Sequence, residues 1–310
     1  MKIILTGACG HIGSYVSKNF SKIKKIKEII LIDNFSTQRY SSLFNLNKKV
    51  KSFFFNIDLS KSKSLDIFKN VDLIIHCASS TNAELSFSNK KEMLKNNLNC
   101  MKNVVNYCVK NKTKLIHISS TSVYGKQAKI VNEDDDSFLK PQSPYAEIKL
   151  TEENMLKKNK HKIKFMSFRF GTIAGISPGM RFHTAINKFC FNAALNKKIL
   201  VYKTAYRQYR PYLSIKDAFK LFKFCIEKNI FKNETYNALS ENLTVEQVVK
   251  MIRKYKKGIK IKYVDSKIMN QLSYHVDNRK LKKLGLNLKS SIQQDIRETL
   301  KLFVFKNNEV

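Results

Sequence analysis

The chain has 310 residues, 43% of them apolar, enough to bury a large core in one domain or two. No uninterrupted apolar run reaches the ~18 residues of a membrane-spanning helix, and the N-terminus, with one Lys before a glycine turn, lacks the pattern of a secretory signal; a cytoplasmic location is expected. The formal charge of +34 would suit nucleic acid, but the lysines are spread along the chain rather than gathered in one stripe, so the surplus reads as compositional and neither nucleic acid nor a membrane is expected as a partner.

Residues 2–5 are apolar and predict a buried strand, and residues 11–20 predict a helix. Between and into them fall three of the nine glycines, Gly7, Gly10 and Gly13. Glycines at a strand-to-helix turn let the backbone approach a pyrophosphate, which rests on the free N–H groups opening the helix. A dinucleotide site is expected there, although the spacing is G-x-x-G-x-x-G rather than G-x-G-x-x-G. Residues 28–34 predict a second strand ending at Asp33, 20 residues after Gly13. A carboxylate at that place accepts from ribose hydroxyls and repels a 2′-phosphate, which favours NAD over NADP. Nearby Arg39 pulls the other way.

Residues 51–60 and 71–79 predict the third and fourth strands, the latter nearly continuously apolar, as a parallel strand covered on both faces should be. A helix over 91–111 and a fifth strand over 114–120 follow. This alternation implies right-handed crossovers and a doubly wound parallel sheet of α/β class. The six cysteines (Cys9, Cys77, Cys100, Cys108, Cys190, Cys225) form no C-x-x-C pair and read as reduced buried thiols, so neither disulfides nor a metal site is expected.

Tyr145 and Lys149 are spaced i, i+4. If Pro144 opens a helix, they share one face. An ammonium beside a phenol favours the phenolate, which makes Tyr145 a candidate general acid/base. Ser120, at the end of the fifth strand, is placed to share the substrate oxygen. The four prolines, Pro141, Pro144, Pro178 and Pro211, all fall beside segments assigned to the site.

These residues resemble the extended short-chain dehydrogenases/reductases, specifically the NAD-dependent epimerase/dehydratase family of nucleotide-sugar enzymes. T-G-x-x-G-x-x-G reads as Thr6 to Gly13, with His11 and Ile12 before the last glycine. Asp33-Asn34 matches the pair ending the second strand, Asp58-Leu59 the acidic-aliphatic pair at the adenine, and Cys77-Ala78-Ser79 the small-residue turn along the cofactor. Asn97 matches the cofactor-side Asn of an Asn-rich helix, and Tyr145 with Lys149 the Y-x-x-x-K. The resemblance implies Ser120, Tyr145 and Lys149 as catalytic residues. It implies Gly7, Gly10, His11, Ile12, Gly13, Asp33, Asn34, Asp58, Leu59, Ala78, Asn97, Tyr145 and Lys149 around bound NAD. In the second half, residues 171–182 resemble the loop where the substrate domain begins, and residues 210–217 resemble the segment whose Arg holds the nucleotide-sugar diphosphate. Thr121, Thr172, Asn187 and Arg210 are the substrate-side residues so implied.

Family members diverge after hydride transfer. Dehydratases carry Asp-Glu after the active-site Thr and decarboxylases a Glu; Ser122 stands here and argues against both. The reading is an NAD-dependent nucleotide-sugar epimerase. A nucleotide-4-keto-sugar reductase is the same-fold alternative, and a non-catalytic basic Rossmann binding protein the alternative from another class. Two interleaved units are expected: residues 1–170 with about 214–240 holding NAD, and a smaller C-terminal substrate domain of about 171–213 with 241–310. The resemblance also implies a homodimer.

Overall fold

The computed structural model describes residues 1–81, 86–265 and 274–303. In chain order these form β1 (Lys2–Thr6), α1 (His11–Asn19), β2 (Glu28–Asp33), β3 (Lys51–Asn56), β4 (Leu73–His76), α2 (Lys90–Asn111) and β5 (Lys114–Ser120). Next come β6 (Ile130–Val131), α3 (Pro144–Lys158), β7 (Phe165–Phe170), β8 (Thr172–Ala174), α4 (Ala185–Ala194), β9 (Ile199–Tyr202) and β10 (Tyr209–Ser214). The chain ends with α5 (Ile215–Lys228), β11 (Glu234–Ala238), β12 (Glu241–Thr244), α6 (Val245–Tyr255), β13 (Ile261–Val264), β14 (His275–Val276), α7 (Arg279–Lys283) and α8 (Ile292–Lys301).

Seven strands make one parallel sheet in the order β11-β7-β5-β4-β1-β2-β3. The direction of winding reverses between β1 and β4, and a crevice opens at the carboxyl ends of the strands there. Period-2 alternation feeds the two faces. Ile3, Leu5, Ile29 and Leu31 pack with Val16 of α1 and Phe222 of α5. Ile4, Ile30 and Ile74 pack with Met101 and Val104 of α2 and Leu156 of α3. A third core joins Ile186, Tyr212, Val248 and Ile296 from α4, β10, α6 and α8. After α6 the chain touches the large sheet once more: Leu281 and Leu288 belong to the core of Phe222, whereas Ile292 and Ile296 belong to the small one.

Two strands stop earlier than the apolar pattern predicts, each for a local reason. β3 ends at Asn56, and the Asp58 carboxylate then accepts from the N–H and hydroxyl of Ser60, closing a turn. β4 ends at His76, where the Thr6 hydroxyl accepts the N–H groups of Cys77 and Ala78 at 3.1 and 3.2 Å and draws the chain out of the ladder. Among the described residues all six cysteines are free thiols, and no helix is long and apolar enough to cross a membrane.

Asp295 on α8 is fully buried, 3.7 Å from the Lys216 ammonium. Burial pushes its carboxyl up to about 6, above the unfolded value, so the native state holds the extra proton. Stability therefore falls as pH rises from about 4 to about 6 and stays reduced above. Asp295→Asn is expected to raise stability by roughly 1–3 kcal/mol near pH 7.5 and to give no gain near pH 4. Urea unfolding at the two pH values checks this.

Candidate active site

A cavity of about 1100 Å³ fills the crevice between the large sheet and the small core. The glycine turn forms one wall. Gly7 has φ +64°, and a Cβ there would lie 2.6 Å from the Ala78 nitrogen; a Cβ on Gly13 would lie 2.1 Å from the Gly7 carbonyl oxygen. No other residue type fits this turn. The first bond of α1 runs from the Ser14 N–H to the Gly10 carbonyl at 2.9 Å, so the N–H groups of His11, Ile12 and Gly13 are the donors left at the helix N-terminus. All three residues line the cavity. A phosphate fits such a cradle.

Asp33 is half-buried on the same wall. One oxygen accepts from the Cys9 N–H and the other from the Phe35 N–H, both at 2.9 Å, which ties the glycine turn to β2. Each oxygen keeps a lone pair for a hydroxyl. Asn34, Asp58, Leu59 and Ala78 also line the cavity. Asn97 does not. Its buried amide accepts from the Ser80 N–H at 2.8 Å and donates to the Ser80 carbonyl at 2.9 Å, shaping the loop after β4.

The side chains expected to be reactive stand on α3 and at the end of β5. Ser143 caps α3 by accepting the Ala146 N–H, and Pro144 begins the helix, which puts Tyr145 and Lys149 one turn apart on the cavity wall. The Lys149 ammonium lies 5.9 Å from the Tyr145 ring centroid and donates to Glu152 at 2.8 Å. Burial acts to lower the Lys149 ammonium, but Glu152 and Tyr145 together hold it above the ordinary lysine range. Ser120 Oγ receives two bonds, from the Ser122 N–H at 3.2 Å and the Ser122 hydroxyl at 2.9 Å, so its own proton is the one to offer outward.

The residues expected on the substrate side divide. Thr172 and Arg210 line the cavity. Thr121 lines it too, but its hydroxyl donates to the Phe170 carbonyl at 3.2 Å. Asn187 is fully buried on α4, away from the cavity wall, and donates to the Arg181 carbonyl at 3.0 Å.

That bond leads to residues the sequence reading missed. Arg181 lines the cavity; its guanidinium donates to the Thr81 hydroxyl, while Nε is buried without a partner. Burial pushes it down, Tyr145 opposes that, and Arg39 adds to it. Burial and these same two arginines also push His183 down to about 4. Arg181 lies in the stretch 171–182 already singled out, and an Arg in a chain that fills its surface with Lys was the available signal. The same stretch folds over the glycine turn: Ser14 Oγ accepts the Gly179 N–H at 2.9 Å, and His11 Nε2 donates to the Gly175 carbonyl at 2.8 Å. His76 was also missed. Thr6 Oγ1 already accepts two N–H groups, so its proton goes to His76 Nδ1 at 2.8 Å, and burial holds that ring neutral, down to about 3.

A doubly wound sheet, a glycine turn with an acidic second-strand end, and a Tyr-Lys pair on the crevice wall define a nucleotide-binding α/β enzyme of the short-chain dehydrogenase type. Residues 3–238 match the model of the NAD dependent epimerase/dehydratase family, and the chain belongs to that family. It is 25% identical over 96% of its length to a trifunctional UDP-glucose 4,6-dehydratase/UDP-4-keto-6-deoxy-D-glucose 3,5-epimerase/UDP-4-keto-L-rhamnose-reductase of Arabidopsis thaliana, of which the match covers 46%. The chain thus spans about half the length of that relative. It is 29% identical to the uncharacterized UDP-glucose epimerase YtcB of Bacillus subtilis, over 81% of both chains. The fold is that of the UDP-glucuronic acid 4-epimerase of Bacillus cereus, solved with UDP-glucuronic acid and NAD, with a TM-score of 0.87 over 98% of this chain and 99% of that one at 23% identity.

Proposed function

We propose that the protein is an NAD-dependent nucleotide-sugar epimerase. The observation that carries this reading is a cavity that holds a phosphate cradle, Tyr145 with Lys149, and Arg210 together, and that offers no carboxylate after Thr121 for chemistry on a neighbouring carbon. Relatives and structural neighbours named as epimerases support it.

The residues present fit NAD: a Cβ-free turn against the helix N-terminus for the pyrophosphate and Asp33 for the adenosine ribose. Bound NAD would supply the hydride acceptor and donor. Tyr145 takes the proton of the sugar hydroxyl as its carbon is oxidised and returns it once the keto-sugar has presented its other face. The Lys149 ammonium stands one turn away on the same wall. Ser120 donates to the same sugar oxygen. Arg210 holds the diphosphate, and Arg181, half-buried on the same cavity wall as Tyr145, adds positive potential at the reacting end. Residues 1–170 with 214–240 form the cofactor half in this reading, the rest the substrate half, with a homodimer formed through α2 and α3.

The test is a panel of nucleotide-diphosphate sugars incubated with the purified protein in deuterated water without added cofactor. Interconversion of two epimers with no deuterium at the inverted carbon is expected, because the hydride returns directly. Deuterium incorporation there would rule the mechanism out. A keto-sugar reductase is favoured by one observation, the Arg39 guanidinium on the rim beside Asp33, where a 2′-phosphate would sit. Stoichiometric consumption of NADPH would establish that reading instead.

A further inference from the structure

Beneath the cavity, Lys149 is tied to a buried chain of polar groups whose other members the proposed chemistry does not use. Glu152 Oε2 lies 2.8 Å from Lys149 Nζ and 2.9 Å from His117 Nε2, and His117 Nδ1 lies 2.9 Å from Ser167 Oγ. Every member is buried: Lys149 is 4% exposed, Glu152 1%, and His117 and Ser167 0%. An ionised carboxylate only accepts, so His117 Nε2 donates to Glu152. Hydrogen bonds thus link Ser167 on β7, through His117 on β5, to Glu152 on α3. The carboxylate is itself oriented before it meets the ammonium.

Apart from Tyr145, the groups around Lys149 give it little other support. Tyr145 and Glu152 act on it from α3, His117 and His76 stand on β5 and β4, and Cys77 and Cys100 approach from the loop after β4 and from α2. His76 is neutral, and burial pushes both thiols up to about 12, so neither supplies negative charge at working pH. Glu152 is the one ionised carboxylate within hydrogen-bond reach of the ammonium among the described residues. A buried ammonium without a counter-ion loses its proton readily.

We propose that Glu152 is a positioning residue for the proton-handling pair: held by His117, it fixes the Lys149 ammonium one turn from Tyr145 and keeps it charged. With one N–H spent on Glu152, the ammonium keeps two donors for the cavity side. Both oxygens of the neighbouring Glu153 are engaged with Ser119 and Arg169 instead, so the two adjacent carboxylates do separate work.

This inference rests on the reading that Lys149 faces bound cofactor, and its test does not require the epimerase assignment. NADH binding by fluorescence is measured from about pH 7 to about pH 9.5, on the full chain and on Glu152→Gln. Affinity of the natural sequence should stay nearly flat, because Lys149 remains charged. In Glu152→Gln it should be close to that of the parent at the low end and fall about tenfold or more across the range, as the uncompensated ammonium loses its proton. Where turnover is measurable, the alkaline limb of kcat should move down by about one pH unit or more. Glu152→Asp should move part of the way back. If Glu152→Gln fails to fold, His117→Gln carries the test, with a smaller shift in the same direction. A Glu152→Gln profile parallel to the parent's, whether unchanged or uniformly weakened, overturns the proposal. Failure to bind NADH at any pH by the unaltered chain would overturn the cofactor reading itself.

Discussion

Tyr145→Phe is expected to lower kcat by about 10³ while leaving the cofactor bound, within the 10²–10⁴ range of a positioned acid/base. The substitution removes only the phenolic oxygen. The ring, half-buried on the cavity wall, keeps its place 5.9 Å from Lys149, and the helix start set by Ser143 and Pro144 is unchanged. The glycine cradle and Asp33 lie on other elements and are untouched. The loss should therefore appear in kcat rather than KM, as for an interaction made only in the transition state. Steady-state turnover on whichever sugar pair the panel identifies, with bound cofactor measured by fluorescence, checks both halves. A kcat within about threefold of the parent would move the proton to another group, with Ser120 the nearest candidate by chemistry.

The parts of this site that are local in sequence were readable, and the parts that are long-range were not. Gly7, Gly10 and Gly13 announce a turn because their spacing is itself the structure. Tyr145 and Lys149 announce a shared face because i, i+4 on a helix is a contact. Asn97 and Asn187 show the limit of residue type: both carry the right amide, yet one is spent on Ser80 and the other on the Arg181 carbonyl. Residue type offered for Arg181 only an arginine among lysines; that its Nε is buried without a partner is a property of where residues 171–184 fold rather than of their composition. That stretch meets the glycine turn through the pairs Ser14–Gly179 and His11–Gly175, more than 160 residues apart. The strand ends at Asn56 and His76 also escaped the apolar pattern, because side-chain hydrogen bonds, not hydrophobicity, end them.

Arg169→Met is expected to cost about 3–5 kcal/mol of stability, the usual range for breaking a buried ion pair from one side. Arg169 on β7 is 2% exposed and grips Glu153 of α3 with two bonds, Nε at 3.0 Å and Nη2 at 2.8 Å. Its third nitrogen donates to the Tyr124 hydroxyl at 2.8 Å, which donates on to Asn237 of β11 at 2.8 Å. Ser119 of β5 reaches the same Glu153 carboxylate. Arg169 and Glu153 together thus tie three strands to the helix that carries Tyr145 and Lys149, and the bonds hold the guanidinium charged, well above the ordinary arginine range. Methionine fills much of the volume but leaves the Glu153 carboxylate, wholly buried, with Ser119 alone. The cost is that of an orphaned charge rather than of a lost attraction, and this makes a sharper expectation available. Arg169→Met combined with Glu153→Leu should recover more than half of the loss, because an apolar pair of similar size carries no desolvation penalty. Urea unfolding of the two singles and the double measures the coupling. Additive losses would mean that the pair acts through its links to Tyr124 and Ser119 rather than through its own charge balance.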